Sequence, residues 1–317
     1  MSHPNQPLIP ENAPPSLANF RQLWPPADEK NQDLLPMLYR SSRPDLLTKE
    51  EANMLADLGM KSIIDGRASS EYSRYEGDKF IDKFYQVCKV NFPTLRWTYK
   101  PGEAVSHSPV TPKTSENIGR HFFINFFRLN YIFSIFSRGA WYIQLVSLIY
   151  LLGDLMKSTG YYKNFVSLFA KHVLNPLGLV GQYKDIVTHS QASIAAALKL
   201  LTNPSNLPAM INCSHGKDRT GIISALILSV MGKTKEYIIW DYAVTQEGLK
   251  DVMPRVRSEI NERYGLGDDF AYAKAEIMEE LLEFIDEKYG SVPQYLNNIG
   301  FGDDEQKQLR NNLLGIK

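Results

Sequence analysis

The chain has 317 residues, no formal net charge, 44% hydrophobic and 22% charged residues. That length suffices for one large domain or two small ones with a sizeable core, and the composition is ordinary for a globular protein. Neutrality argues against a dedicated nucleic-acid binder, and two cysteines, Cys88 and Cys213, are too few for a disulfide framework, which points to free thiols in a reducing compartment.

The opening stretch, MSHPNQPLIPENAPPSLANF, has no basic segment followed by an apolar core, so no secretory leader is read there. Its prolines predict a loosely ordered arm over residues 1–30, ahead of a single domain over 31–317. MLYRSSRPD reads as a short strand and turn. TKEEANMLADLG reads as a helix, with Thr48 and Glu51 spaced as a capping box and Gly59 as its stop. MKSIID and FYQVCKVNF follow as strands, and this order suits a three-layer α/β sheet.

A long insert comes next, about 90 to 180, with its helical part over about 115–178. It opens with a Pro/Ser/Thr loop. IGRHFFINFFRLNYIFSIFSR, AWYIQLVSLIYLLGDLMKS and YYKNFVSLFAKHVLN then read as three helices, the last ending before Pro176. They are apolar over more than one face, as expected of helices buried against each other, of a lid, or of a membrane-facing surface. The longest uncharged run, Gly139 to Gly153, is shorter than the ~18 residues of a membrane span. QYKDIVTHSQASIAAALKLLTN predicts one helix stopped at Asn203-Pro204, LPAMIN a buried strand, RTGIISALILSVMG a helix ending at Gly232, and the tail from Phe270 further helices.

Between that strand and that helix stands CSHGKDRTG, residues 213–221. A tight loop leading into a helix N-terminus aims backbone N–H groups and the helix dipole at one point, where a tetrahedral dianion fits. Gly216 lets the backbone turn. Arg219 supplies a bidentate, permanently charged fork, and Lys217 a second cation. The same environment favours a thiolate at Cys213, a nucleophile for a bound phosphoryl group. Thr220 is placed to hydrogen-bond that sulfur. Asn212-Cys213-Ser214 is also a formal glycosylation sequon, and a sugar there would destroy the site, so cytoplasmic residence is expected. Neither Gly216-Lys217-Asp218 nor Gly232-Lys233-Thr234 completes a nucleotide-binding glycine loop, and Cys213 with His215 is too small a set for zinc. No metal or other cofactor is expected.

Cys-x5-Arg-Thr between a strand and a helix resembles the cysteine-dependent protein tyrosine phosphatase superfamily. The full string is similar to the Cys-x-x-Gly-Lys-Asp-Arg-Thr-Gly loop of its atypical tyrosine/lipid phosphatase family. YRSSRPDLLTKEEANMLADLGMKSIIDGRASSEY resembles that family's N-terminal segment, and GQYKDIVTHSQASIAAAL the helix before its nucleophile strand. YGSVPQYLNNIGFGDDEQKQLRNNLL resembles its C-terminal helices. Asn212 stands where the family usually has histidine, and Asp65-Gly66-Arg67 where it has Asp-Leu-Arg.

The resemblance implies a three-layer phosphatase fold with a central, mostly parallel sheet and a helical insert that acts as a lid. It implies a dual-specificity phosphatase acting on phosphotyrosine, phosphoserine/threonine and phosphoinositides through a phosphocysteine. Ser214, His215, Gly216, Lys217, Asp218, Arg219 and Thr220 would form the phosphate loop. Following the resemblance, Asp218 is the first candidate for the general acid and Asp65 the second. Trp24-Pro25-Pro26-Ala27-Asp28 is a poor match to a mobile acid loop. The implied partners are a phosphorylated protein or phosphoinositide; the apolar character of the insert adds the expectation of peripheral membrane contact there. An adaptor that binds phosphate without turnover is the competing reading.

Overall fold

Short apolar runs rich in β-branched and aromatic residues form the centre of the molecule, as their propensities dictate. The computed structural model describes residues 7, 9–23, 38–73, 77–92, 98–156 and 163–316. Among these, one seven-stranded sheet is built from β1 (Arg21–Gln22), β2 (Leu38–Ser41), β3 (Ser62–Asp65), β4 (Tyr85–Val90), β5 (His107–Pro109), β6 (Gly119–Phe123) and β7 (Ala209–Asn212). The order is β1-β2-β7-β3-β6-β4-β5, with parallel pairing throughout the middle and one antiparallel strand at each edge.

Side chains alternate across these strands, so one residue in two faces each side. Tyr39, Ile63 and Met210 join the cluster that covers α1 (Lys49–Asp57), while Leu38, Ile64 and Ile211 join the larger cluster on the other face. That larger cluster takes in α6 (Asn175–His189), α7 (Gln191–Thr202), α8 (Asp218–Val230) and α9 (Lys235–Ala243). The tail helices α12 (Ala275–Tyr289), α13 (Val292–Asn298) and α14 (Asp303–Leu314) pack on it as well. The short helices α2 (Ser69–Tyr72), α10 (Thr245–Gly248) and α11 (Met253–Arg257) fill the connections. The insert carries α3 (Leu129–Arg138), α4 (Trp141–Met156) and α5 (Lys163–Phe169). The fold is three-layer α/β, as the resemblance implies. Helix α1 has the expected capping box, with Glu51 N donating to Thr48 Oγ1 and Thr48 N to Glu51 Oε2.

Four expectations are corrected. The arm is ordered over residues 9–23: Leu17, Phe20 and Leu23 are buried and Arg21–Gln22 adds an edge strand to β2. Residues 119–123 are not helical but form β6 between β3 and β4, because His121, Phe122 and Phe123 are fully sheathed by sheet neighbours on both sides. The third insert helix does not stop before Pro176; it passes through a π-helical turn, Ala170–Leu174, and past Pro176 before it breaks at Gly178, whose φ of 71° glycine alone adopts freely, and helix resumes beyond it within the span of α6. The long helix before the nucleophile strand is two helices, α6 and α7, broken at Ser190, whose Oγ donates to Phe126 O (2.6 Å).

Register decides what meets at the sheet's edge. Asn212 pairs with Ser41 on one side and Asp65 on the other, so β2, β7 and β3 end level. Their following loops emerge together at the carboxyl end of a parallel sheet, where α/β folds bind ligands.

Candidate active site

Cys213 follows β7 directly and α8 begins at Asp218, so the loop spans residues 213–217. Three loop carbonyls are held from outside. Ser214 O accepts from Arg43 N (3.3 Å), and Gly216 O from both Arg40 Nη2 (2.9 Å) and Asn19 Nδ2 (2.8 Å). Asn19 Nδ2 also reaches His215 O at 3.5 Å. A trans peptide points its N–H away from its C=O. The N–H groups of His215, Gly216 and Lys217 therefore turn to the opposite side of the loop, a nest for an anion. Gly216 has φ +66°, and a Cβ there would sit 2.2 Å from Ser41 O, so only glycine fits this turn.

Behind the loop lies a buried charge network. Arg40 and Arg21 both bind the Asp241 carboxylate, Arg21 Nη2 donates to Asp241 O (2.7 Å), and Arg40 Nη2 also donates to Thr245 Oγ1 (3.2 Å). Burial, with Arg40 beside it, brings Arg21 down to about 10. Asp241 thus serves a structural role, clamping two arginines that fix the loop.

Arg219 folds back from α8 across the loop mouth. Its Nη1 donates to Gly66 O (3.0 Å) and Glu71 Oε2 (3.0 Å), and its Nη2 to Glu71 Oε1 (3.1 Å) and Ser214 Oγ (3.2 Å). Burial alone would lower this guanidinium; Glu71, the Cys213 sulfur and Asp65 together hold it well above its ordinary value. Gly66 leaves room for it, since a Cβ there would lie 3.2 Å from Arg219 Cβ. Burial works to raise the Glu71 carboxyl, but Arg219 outweighs it and the net shift is downward.

Asp218 Oδ1 accepts from Lys217 Nζ (2.6 Å) and Tyr183 OH (2.9 Å), and Tyr183 OH in turn meets Tyr242 OH at 2.8 Å. Burial pushes this carboxyl up, but Lys217 and Tyr183 bring it below the ordinary value. Asp65 is differently placed. It is completely buried and bonds Arg67 through Nε and Nη2, His121 Nε2 (3.2 Å) and Asn212 Nδ2 (2.8 Å). Burial opposes its charge, yet Arg67 and His121 hold it far below the carboxylate range. Asn212, in the usual histidine position, therefore tethers the residue before Cys213 to this anion. His215 Nε2 pairs with Glu259 Oε2 (2.8 Å).

The sequence-derived loop residues are thus brought together, with one exception in detail. Thr220 Oγ1 is buried without a hydrogen-bond partner among the described residues, so its expected bond to the Cys213 sulfur is not formed. Cys213 is 1% exposed. The Phe127 ring, just before α3, lies 5.0 Å from the Arg219 guanidinium and covers it. Two clefts of about 540 and 810 Å³ lie nearby, and neither is lined by Cys213. Trp24–Asp28 lies outside the described residues.

Sequence reasoning missed Glu71, Asn19, His121 and the role of Arg40. Arg40 carried a signal, standing in the YRSS stretch that resembles the family. Glu71 stands at the far end of the same segment, but its pairing with Arg219, 148 positions away, left no local pattern to read.

The sequence model of the tyrosine phosphatase family matches residues 14–315. Among curated proteins, the triple specificity protein phosphatase PtpB of Mycobacterium tuberculosis is 26% identical over 151 residues, 43% of this chain and 55% of that protein. A tyrosine-protein phosphatase of Nostoc commune is 29% identical over 144 residues, 43% of this chain and 49% of that protein. The chain spans about half the length of the curated relatives it matches.

Proposed function

The chain belongs to the tyrosine phosphatase family, and from that premise we propose that it hydrolyses phosphomonoesters through a phosphocysteine. The observation that carries this reading is the loop itself: its carbonyls are tied outward by Arg43, Arg40 and Asn19, leaving three N–H groups on the side of a cysteine and an arginine. A dianion held by those groups and by Arg219 places phosphorus in front of the Cys213 thiolate. Attack forms the S–P bond and breaks the P–O bond to the leaving group, which takes a proton from an acid. Water then breaks the S–P bond and releases phosphate.

Asp218 is the acid in this scheme. Lys217 and Tyr183 hold its carboxyl low, and the charge of a bound dianion raises it and draws Lys217 away. Asp65, bound by Arg67, His121 and Asn212, has no proton to give. For substrates, we propose phosphotyrosine first, with phosphoserine/threonine and phosphoinositides also accepted. Lys217, buried beside the loop, supports substrates with more than one phosphate by adding a second cation. A cytoplasmic, reducing setting suits a site that depends on a free thiol; both cysteines are free and buried.

The test is hydrolysis of an aryl phosphate under reducing conditions by the wild type and by Cys213→Ser. Turnover by the wild type, with none by the variant although it still binds phosphate, is the expected result. Phosphate binding without wild-type turnover at any pH would leave only the adaptor reading. A panel of phosphopeptides and phosphoinositides at matched concentration then ranks the substrates.

A further inference from the structure

Helix α4 is built inside out. Its buried residues are Ile143, Ser147 and Asp154, two of them polar. Asp154 turns inward to accept from Asn164 Nδ2 (2.6 Å) and Phe165 N (3.0 Å). Outward it presents Trp141, Leu145, Leu148, Ile149, Leu152 and Met156, of which Trp141 is 73%, Ile149 67% and Met156 87% exposed. At 100° per residue these fall within an arc of about 100° that holds no charged side chain. A soluble surface helix has the opposite arrangement. So large a contiguous apolar face marks an interaction surface.

The charge that follows the face in the sequence selects its partner. From Leu155 to Asn175 the sequence has three lysines, Lys157, Lys163 and Lys171, and no acid, in a chain without net charge. A two-fold pairing of copies would set this cationic segment against its own equivalent. An anionic lipid surface offers both a non-polar phase for the face and counter-charge for the lysines. Sixteen residues of helix reach about 24 Å, short of the ~30 Å hydrocarbon core. No helix among the described residues is long and apolar enough to cross a membrane. Trp141 and Tyr142 at one end have the amphipathic rings that settle at the headgroup level.

We propose that α4 docks the protein on an anionic lipid surface, lying in the plane of the interface with its apolar arc in the acyl boundary. Docking needs no turnover and is independent of the phosphatase reading. It also brings the active site to the bilayer, since α4 follows α3 directly and Phe127, before α3, covers Arg219.

The experiment is flotation of the full chain with phosphatidylcholine vesicles, with and without phosphatidylserine, alongside sedimentation without lipid. The wild type should float with the phosphatidylserine vesicles, less so at high salt, and sediment as a monomer alone. The double variant Ile149→Glu, Leu152→Glu changes only exposed positions and should weaken flotation at least about tenfold. Its circular dichroism and aryl phosphate hydrolysis should be unchanged. A second readout is Trp141 emission, which should shift to the blue on vesicles and lose that component in Trp141→Phe. No flotation of the wild type, equal flotation of the double variant, or a lipid-free dimer that the variant dissociates without any vesicle binding would overturn the proposal.

Discussion

Two aspartates border the loop, and their surroundings divide them. Asp65 meets two guanidinium nitrogens, an imidazole and an amide in a site closed to water, and with Asp45 (2.8 Å from Arg67 Nη2) its charge neutralises buried Arg67. Asp218 meets one lysine and one tyrosine hydroxyl at the edge of the anion nest, where a substrate dianion changes its field. Asp218→Asn should therefore lower kcat by roughly 10²–10³ for alkyl phosphates, whose leaving groups need a proton, and only slightly for a nitrophenyl phosphate. Asp65→Asn should cost stability and leave the dependence on leaving group alone, because a buried cation loses a partner. A steeper leaving-group dependence in Asp65→Asn than in Asp218→Asn would reject the assignment. Glu71 belongs at this scale too. By taking both Nη atoms of Arg219 it fixes the plane of the guanidinium, so the fork is set before substrate arrives.

At the scale of elements, the phosphate loop is shaped less by its own sequence than by what grips it. Arg43 follows β2, Arg40 lies within it, and Asn19 sits in the arm with φ 59°, a conformation that asparagine tolerates. Gly216 is where this grip is closest. Gly216→Ala must give up the left-handed turn, which costs about 1–2 kcal/mol by itself, and must also move Ser41 O away from a 2.2 Å contact. It should unfold at lower denaturant and lose most phosphate affinity; retained affinity at unchanged stability would show that the turn is not fixed by Ser41. The loop, β7 and α8 were legible in the sequence because all their signals are local: an apolar run, a glycine, and one cysteine-arginine spacing. Strand β6 was not, because HFF between GR and IN has no alternation to separate it from the apolar helix that follows. Its neighbours in the sheet, β3 and β4, decide its conformation, and His121 reaches Asp65 only through that pairing. The grip by Arg21, Asn19 and Asp241 was hidden for the same reason, since its contacts span 196 to 220 positions of the sequence.

Taken as a whole, the molecule concentrates its buried charge at one edge of the sheet, and this ties stability to pH. Asp65, Glu71, Asp218 and Glu259 all stand below their ordinary values, Glu259 falling from 4.5 to about 2 because His215 and Arg43 outweigh its burial. The folded chain then binds fewer protons at these groups than the unfolded chain. Their stabilisation is complete above the unfolded values and is lost as the pH falls through the folded ones. His107 and His189, lowered from 6.5 by burial, act in the same direction, since acid charges them more readily when unfolded. Asp82, raised by burial, opposes them as a single group. The unfolding midpoint should therefore drop as the pH is lowered from 6.5, most steeply between 4.5 and about 2. In Glu259→Gln that steep part should become shallower, because one of the carboxyls that produce it is gone while the hydrogen bond to His215 can remain. A midpoint that stays level or rises in that interval, or a slope identical in Glu259→Gln, would mean that the charged edge does not govern the fold's tolerance of acid.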